Sequence, residues 1–293
     1  MTDTKRAHTL AYLALGVGIL TLGFSAIFVR WANAPGAVTS FYRMAIATSL
    51  LAWPFARRVR ASGGLARQGV WLAVGGGLFF AADLAAWTTG VVLGGATNPT
   101  LMANTAPVWV GLGAMLILRE KLPAAFWAGL ALALGGAAVI LGLDSQQAVE
   151  IGQGSLYGLA AAVFYGGYFL FTQRGRESLD SLSYFWIAAA TSTVVLLALS
   201  LALGQPLSGY SAFTYANFLA MGVVTQVAGY LAISYALGHL PASLVAPTLL
   251  GQPVVTALLA GPLLGEAFST LQIAGGIAVL AGVVIVHYSR QEK

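Results

Sequence analysis

Pro107, Glu120, Gly129 and Gly136 recur as Pro253, Glu266, Gly275 and Gly282, four pairs at one offset of 146 residues without a gap. Val108/Val254, Leu112/Leu258, Leu118/Leu264 and Leu134/Leu280 keep the same spacing. The offset is about half of the 293 residues, so the chain reads as two copies of one unit, residues 1–148 and 149–293. If each copy crosses a bilayer an odd number of times, the second must enter upside down. Inverted repeats with a site between them are the architecture of many secondary transporters.

Composition sets the solvent in which such units fold. Hydrophobic residues make up 58% of the chain and charged residues 8%, with a mean hydropathy of +0.83. Soluble domains carry about 25% charged residues. The 36 glycines suit membrane helices, where close backbone approach rather than water exclusion drives association. The net charge of +5 comes from short basic clusters between apolar runs, which excludes nucleic acid as a partner. With no cysteine, disulfides, thiol catalysis and thiolate metal sites are excluded. His8, His239 and His287 have no metal-ligand spacing, so neither a metal nor a cofactor is expected.

A bilayer-crossing helix needs about 20 mostly apolar residues. Ten stretches qualify: 9–29, 36–56, 69–90, 96–117, 123–143, 153–173, 182–203, 213–237, 242–263 and 269–288. The expected fold is therefore an all-α membrane protein of ten transmembrane helices, as two inverted five-helix repeats. Lys5-Arg6, the following apolar run and Ala32-Asn33-Ala34 resemble a secretory signal. The run is too long for one and Pro35 follows the small triplet directly, so it reads as an uncleaved first span. If the spans alternate, twelve of the fourteen lysines and arginines fall on one side, with Arg30 and Arg43 the exceptions. Asp144, Glu150 and Glu266 fall on the other side. The positive-inside rule then puts both termini in the cytoplasm, with the chain multi-pass in a bacterial inner membrane.

Three segments give the chain a family likeness. These are Thr105-Ala106-Pro107-Val108, then Arg119-Glu120-Lys121-Leu122, then Gly129 in a glycine-rich helix. They return as Gln252-Pro253-Val254, Gly265-Glu266, and Gly275 with Gly282. Together with Arg43 in Phe41-Tyr42-Arg43-Met44, they make the chain resemble the ten-helix EamA branch of the drug/metabolite transporter superfamily. Within it the chain is most similar to the YddG-type exporters of aromatic amino acids. The resemblance implies a monomeric or weakly associating carrier of small metabolites, with the lipid bilayer and a small-molecule substrate as its partners.

An ionisable side chain at mid-bilayer costs about 2.5–3.5 kcal/mol on insertion scales. Arg43 and Asp83 qualify, each about 10 Å from the outer face on consecutive helices. They either form an internal ion pair or face a cavity, where Arg43 meets a carboxylate and Asp83 an ammonium group. Phe79, Asp83 and Trp87 share one helix face at four-residue spacing. Leu101, Asn104, Thr105 and Trp109 make a mixed face on the next helix. Phe164, Tyr165 and Tyr168, then Gln226 and Tyr230, then Thr248 and Gln252 extend the set. Rings with a few amides and hydroxyls suit an apolar-bodied, polar-headed solute. The competing reading for each ring is packed core or lipid contact.

Pro107 and Pro253 are expected to kink corresponding helices and to serve as hinges. Glu120 and Glu266 are expected to organise turns at helix ends. No G-x-x-x-x-G-K-[ST] segment is present, so ATP-driven pumping is rejected. The function expected is secondary export of small metabolites, aromatic or neutral amino acids foremost, by alternating access. A multidrug or lipophilic-cation exporter is the alternative. An intramembrane enzyme is disfavoured because no nucleophile–base set or paired acids are seen.

Overall fold

Long apolar runs fold into helices because lipid leaves no other way to satisfy the backbone, and glycine, proline and short polar stretches set their ends. The computed structural model describes residues 3–94, 97–141, 152–264 and 269–291, and these are helical with no strand among them. Asp144, Glu150, Glu266 and Lys293 lie outside the described residues. The first half holds α1 (Asp3–Gly23), α2 (Ser25–Ala32), α3 (Gly36–Ser62), α4 (Arg67–Gly94), α5 (Thr97–Ala103), α6 (Ala106–Leu116) and α7 (Ala124–Ile140). Next come α8 (Gln153–Gly175), α9 (Ser181–Ala202) and α10 (Ala212–Ala220), a π-helical stretch (Met221–Tyr230) and α11 (Leu231–Leu237). The chain ends with α12 (Ala242–Thr248), α13 (Gly251–Leu264) and α14 (Thr270–Gln291).

Among the described residues, 7 stretches are long and apolar enough to cross a membrane: Lys5–Val29, Arg67–Val91, Gln153–Gly175, Ser181–Ala202, Ala212–Leu237, Ala242–Leu259 and Thr270–Arg290. The chain is a multi-pass membrane protein. Three further ranges expected from hydropathy are helical but do not reach that standard, for identifiable reasons. The α3 range carries Arg43 at mid-span among several hydroxyl residues; α5 and α6 are separate short helices; α7 has 17 residues.

The helix breaks are local and regular. Asn104 and Thr105 form a turn between α5 and α6, and Leu249 and Leu250 one between α12 and α13. Pro107 therefore stands in the first turn of α6, and Pro253 in the first turn of α13, where a missing N–H forfeits no helical bond. The expected mid-helix kinks are instead full interruptions just before each proline. Elsewhere α3 stops at Gly63 (φ +70°), the left-handed C-terminal geometry that glycine adopts without strain.

The two largest apolar cores join most of the helices. The larger one gathers Phe80, Tyr168, Phe169, Phe185, Leu196 and Tyr230 from α4, α8, α9 and the π-helical stretch. The second lies between α7 and α14, around Phe126, Leu130, Ala133, Val279 and Val286. There the backbones touch through glycine. A Cβ on Gly129 would sit 2.8 Å from the carbonyl oxygen of Gly282, and one on Gly275 would sit 2.8 Å from that of Gly136. Low-numbered positions of one helix meet high-numbered positions of the other, so the pair is antiparallel. Helix α4 packs on α8, as the π-helical stretch and α11 pack on α1, while α3 packs on α9 and α6 on α12.

Candidate functional site

The interrupted helices border a cavity of about 560 Å³, within the range of small-molecule sites. From the first half, Arg43 of α3, Asp83 and Trp87 of α4, Asn104 at the α5–α6 break, and Pro107 reach its wall. From the second half come Tyr165 of α8, Tyr230 of the π-helical stretch, Leu250 at the α12–α13 break, and Gln252 and Pro253. Both helix breaks thus face the same space. Free backbone groups at membrane depth are tolerated where they line such a cavity.

Charge is the most constrained feature of the wall. Arg43 is 4% exposed and Asp83 8% exposed. Among the described residues they form no direct ion pair, though their charges attract each other across the shared cavity. One guanidinium nitrogen of Arg43 (Nη2) donates to Oε1 of Gln226 at 3.1 Å, and its Nε is buried without a partner. Burying a charge with part of its hydrogen-bonding capacity unused is costly. Around the charges, Trp87 Nε1 donates to Thr100 Oγ1 at 3.0 Å. Asn104 Nδ2 donates to the Thr100 carbonyl at 2.8 Å, and the Tyr165 and Tyr230 hydroxyls lie 3.2 Å apart.

Nine of the residues singled out from sequence meet at this wall: Arg43, Asp83, Trp87, Asn104, Pro107, Tyr165, Tyr230, Gln252 and Pro253. Seven lie off it. Phe79 and Phe164 pack edge-on at a 5.9 Å centroid distance in the α4–α8 interface, and Tyr168 stacks on Phe80 at 4.5 Å in the core. The Thr105 hydroxyl donates to the Met102 carbonyl at 2.6 Å, and half-buried Leu101 is not on the wall. Gln226 is fully buried behind Arg43. The Thr248 hydroxyl is bound to the Leu244 carbonyl and His287 Nε2, away from the cavity. Sequence reasoning missed Ser25, Thr100, Leu250, Thr256 and Gln272, all on the wall. The 146-residue offset itself was the available signal for one of them, since it carries Asn104 onto Leu250.

The opposite end of the helices is closed by polar contacts between the halves. Glu120, after α6, accepts a 2.6 Å hydrogen bond from Ser243 of α12 and pairs with Arg290 of α14 at 2.7 Å. Arg58 pairs with Asp180 at 3.2 Å, and within the second half Gln173 of α8 accepts from the Ala242 backbone amide at 2.6 Å. Gln272 on the wall and Arg290 in the closure are 18 residues apart on α14, about 27 Å of helix rise. The Glu120 side chain thus links the halves, while α7 starts after Pro123 without a side-chain cap.

Among known proteins, residues 152–288 match the EamA-like transporter family. The chain is 26% identical to an uncharacterized transporter of Synechocystis sp., over 64% of this chain and 57% of that protein. It is 28% identical to a probable terminal-alkyne amino-acid exporter of Streptantibioticus cattleyicolor, over 66% of this chain and 64% of that protein. These two matches span less than two thirds of each relative. A pseudopaline exporter of Pseudomonas aeruginosa is 26% identical over 89% of both chains. One crystal structure shares the fold with a TM-score of 0.76 at 20% identity, covering 97% of this chain and 99% of that one. The family and these relatives are transporters rather than enzymes. With an EamA-like segment in its second half, transporters among its relatives and a cavity between membrane helices, the chain is similar to proteins of the EamA-like transporter family.

Proposed function

We propose that this protein is a secondary transporter that exports small organic metabolites, aromatic and neutral amino acids foremost, from the cytoplasm. The observation that carries the reading is the pair Arg43 and Asp83, buried on one cavity wall yet not joined to each other. A zwitterion completes both: its carboxylate meets Arg43 and its ammonium meets Asp83. Trp87, Tyr165 and Tyr230 supply rings for an apolar body. The named amino-acid exporter among the relatives supports this class.

Transport proceeds by alternating access between two inverted five-helix repeats, residues 1–148 and 149–293, in ten spans. The reciprocal glycine contacts of α7 and α14 support a two-fold relation between the halves. So does the EamA-like match, which falls on the second copy. The end closed by Glu120, Ser243 and Arg290 carries the basic loops and is cytoplasmic. The cavity belongs to the outward-facing state. Pro107 and Pro253, each just past a helix break, act as hinges when the cavity changes face.

Counterflow of radiolabelled amino acids in proteoliposomes tests the reading. Accumulation of labelled tryptophan or phenylalanine, lost on Arg43→Ala, supports it; no counterflow of any amino acid ends it. A second reading has one specific observation in its favour: among the described residues no hydrogen bond satisfies the Asp83 carboxylate, which suits a lipophilic cation. Counterflow of tryptamine without tryptophan would select it.

A further inference from the structure

Gln226 was expected to touch substrate, yet it is 0% exposed and does not reach the cavity wall. It sits one layer behind, in the π-helical stretch, where its Oε1 accepts the sole side-chain hydrogen bond that Arg43 makes among the described residues. Its Nε2 donates to Sδ of Met44. A thioether only accepts, so turning the amide round would break both contacts at once. The carbonyl end is thereby fixed toward Arg43. The π-helical stretch reaches α3 because Gly222 lacks a side chain: a Cβ there would lie 2.5 Å from Cγ2 of Ile46. Gln226 is therefore built into the α3 contact, and Met44 and Gln226 together hold the guanidinium from behind.

A guanidinium has five N–H donors, and this one keeps its Nε buried without a partner while its residue lines the cavity. Asp83 shares the wall but forms no ion pair with it within 4.0 Å. A neutral amide holds the cation in place without cancelling its charge, where a glutamate would do both. Nη1 and the second N–H of Nη2, neither bonded among the described residues, form the terminal fork that matches the two oxygens of a carboxylate.

We propose that Gln226 is a positioning residue that presents Arg43 as the receptor for a solute carboxylate, so that the cavity prefers carboxylates to their neutral analogues. The inference rests on reading this cavity as the transport site. Its primary test is binding: thermal stabilisation of the purified full-length protein by indole-3-acetate and by indole-3-acetamide. The wild type should respond to the acid at concentrations at least about tenfold lower than to the amide, as for a charge-assisted hydrogen bond. Gln226→Met keeps the bulk and loses the strong acceptor, and Gln226→Glu cancels the charge. Both should bring the two probes to equal potency, while Gln226→Met melts within a few degrees of wild type without ligand. If Gln226→Glu does not fold, Gln226→Met decides alone.

A wild-type protein indifferent to the acid, or a Gln226→Met protein that keeps the wild-type preference, overturns the proposal. Preference for the acid in wild type, lost in Gln226→Met, with no counterflow of any amino acid, leaves this inference standing and removes the amino-acid reading instead. Where counterflow is measurable, Gln226→Met should raise KM for the amino acid at least about tenfold and change the maximal rate little.

Discussion

Gly136 of α7 lies against the carbonyl oxygen of Gly275 of α14, and Gly275 lies in turn against that of Gly136. Gly129 and Gly282 repeat the relation one helical segment away. In sequence, Gly275 follows Gly129 and Gly282 follows Gly136 at the same 146-residue offset, so each glycine meets the residue at the other's offset position. Such crosswise pairing is what a two-fold axis between antiparallel helices requires, as in an isologous interface.

The reciprocity makes a stability prediction. Gly129→Ala and Gly275→Ala each drive a Cβ to 2.8 Å from a backbone oxygen, which cannot yield as a side chain would. Each should lower stability by about 1–3 kcal/mol, and the two losses should be similar because the sites are related. Unfolding in mixed micelles measures both. A neutral effect in either would remove the close contact between α7 and α14.

A second prediction concerns the two buried charges. Arg43→Ala leaves Asp83 facing the cavity without a nearby cation, and Asp83→Ala does the converse. Each single change should reduce amino-acid counterflow by at least about tenfold, equivalent to one lost charge-assisted contact. The double variant should be no worse than the poorer single one, since both act on one solute. Normal counterflow in both single variants would take the pair out of binding.

Much of this was legible in the chain before its fold was known. The apolar runs and the two intramembrane charges each follow from spacing and composition, because lipid penalises exceptions to a few strict rules. The helix breaks were less legible. A proline inside an apolar run reads equally as a kink or as the first turn of a new helix, and Pro107 and Pro253 are in first turns. Helix periodicity placed Phe79 with Asp83 on one face but gave no indication of which neighbour that face would meet. The Phe79 ring turned out to pack on Phe164 and Phe171. Likewise an amide such as Gln226 has the same signature whether it borders a cavity or supports the residue that does.

A third prediction addresses closure at the basic end. Glu120 and Arg290 are largely buried, with side chains 14% and 17% exposed, and Ser243 shares the same carboxylate oxygen. Glu120→Gln should weaken this link by roughly 1–3 kcal/mol, between exposed and buried pairs. The population open at that end should therefore rise. Because the chain has no native cysteine, Ser25→Cys on the wall is a single reporter. Membrane-impermeant maleimide should label it faster from the cytoplasmic side in the Glu120→Gln background. Unchanged labelling would mean that the link does not hold that end shut.

The last prediction is a pH dependence outside the membrane. Asp180 caps α9, accepting from the Leu182 and Ser183 amides at 3.1 Å, from the Ser183 hydroxyl at 2.8 Å and from Arg58 at 3.2 Å. Partial burial alone would raise its pKa, but the Ser183 hydrogen bonds and Arg58 outweigh it and hold the carboxyl below its ordinary value. A group whose native pKa is depressed stabilises the fold above its unfolded pKa, about 4 for aspartate, and loses that contribution as pH falls through the native value. Asp180→Ala should cost about 1 kcal/mol near neutral pH, as for loss of a helix cap. The difference between the two proteins should shrink as the pH is lowered below about 4. Melting curves from neutral to acid pH compare them directly. A gap that stays constant into acid would mean that the ionised carboxylate is not the source of the stabilisation.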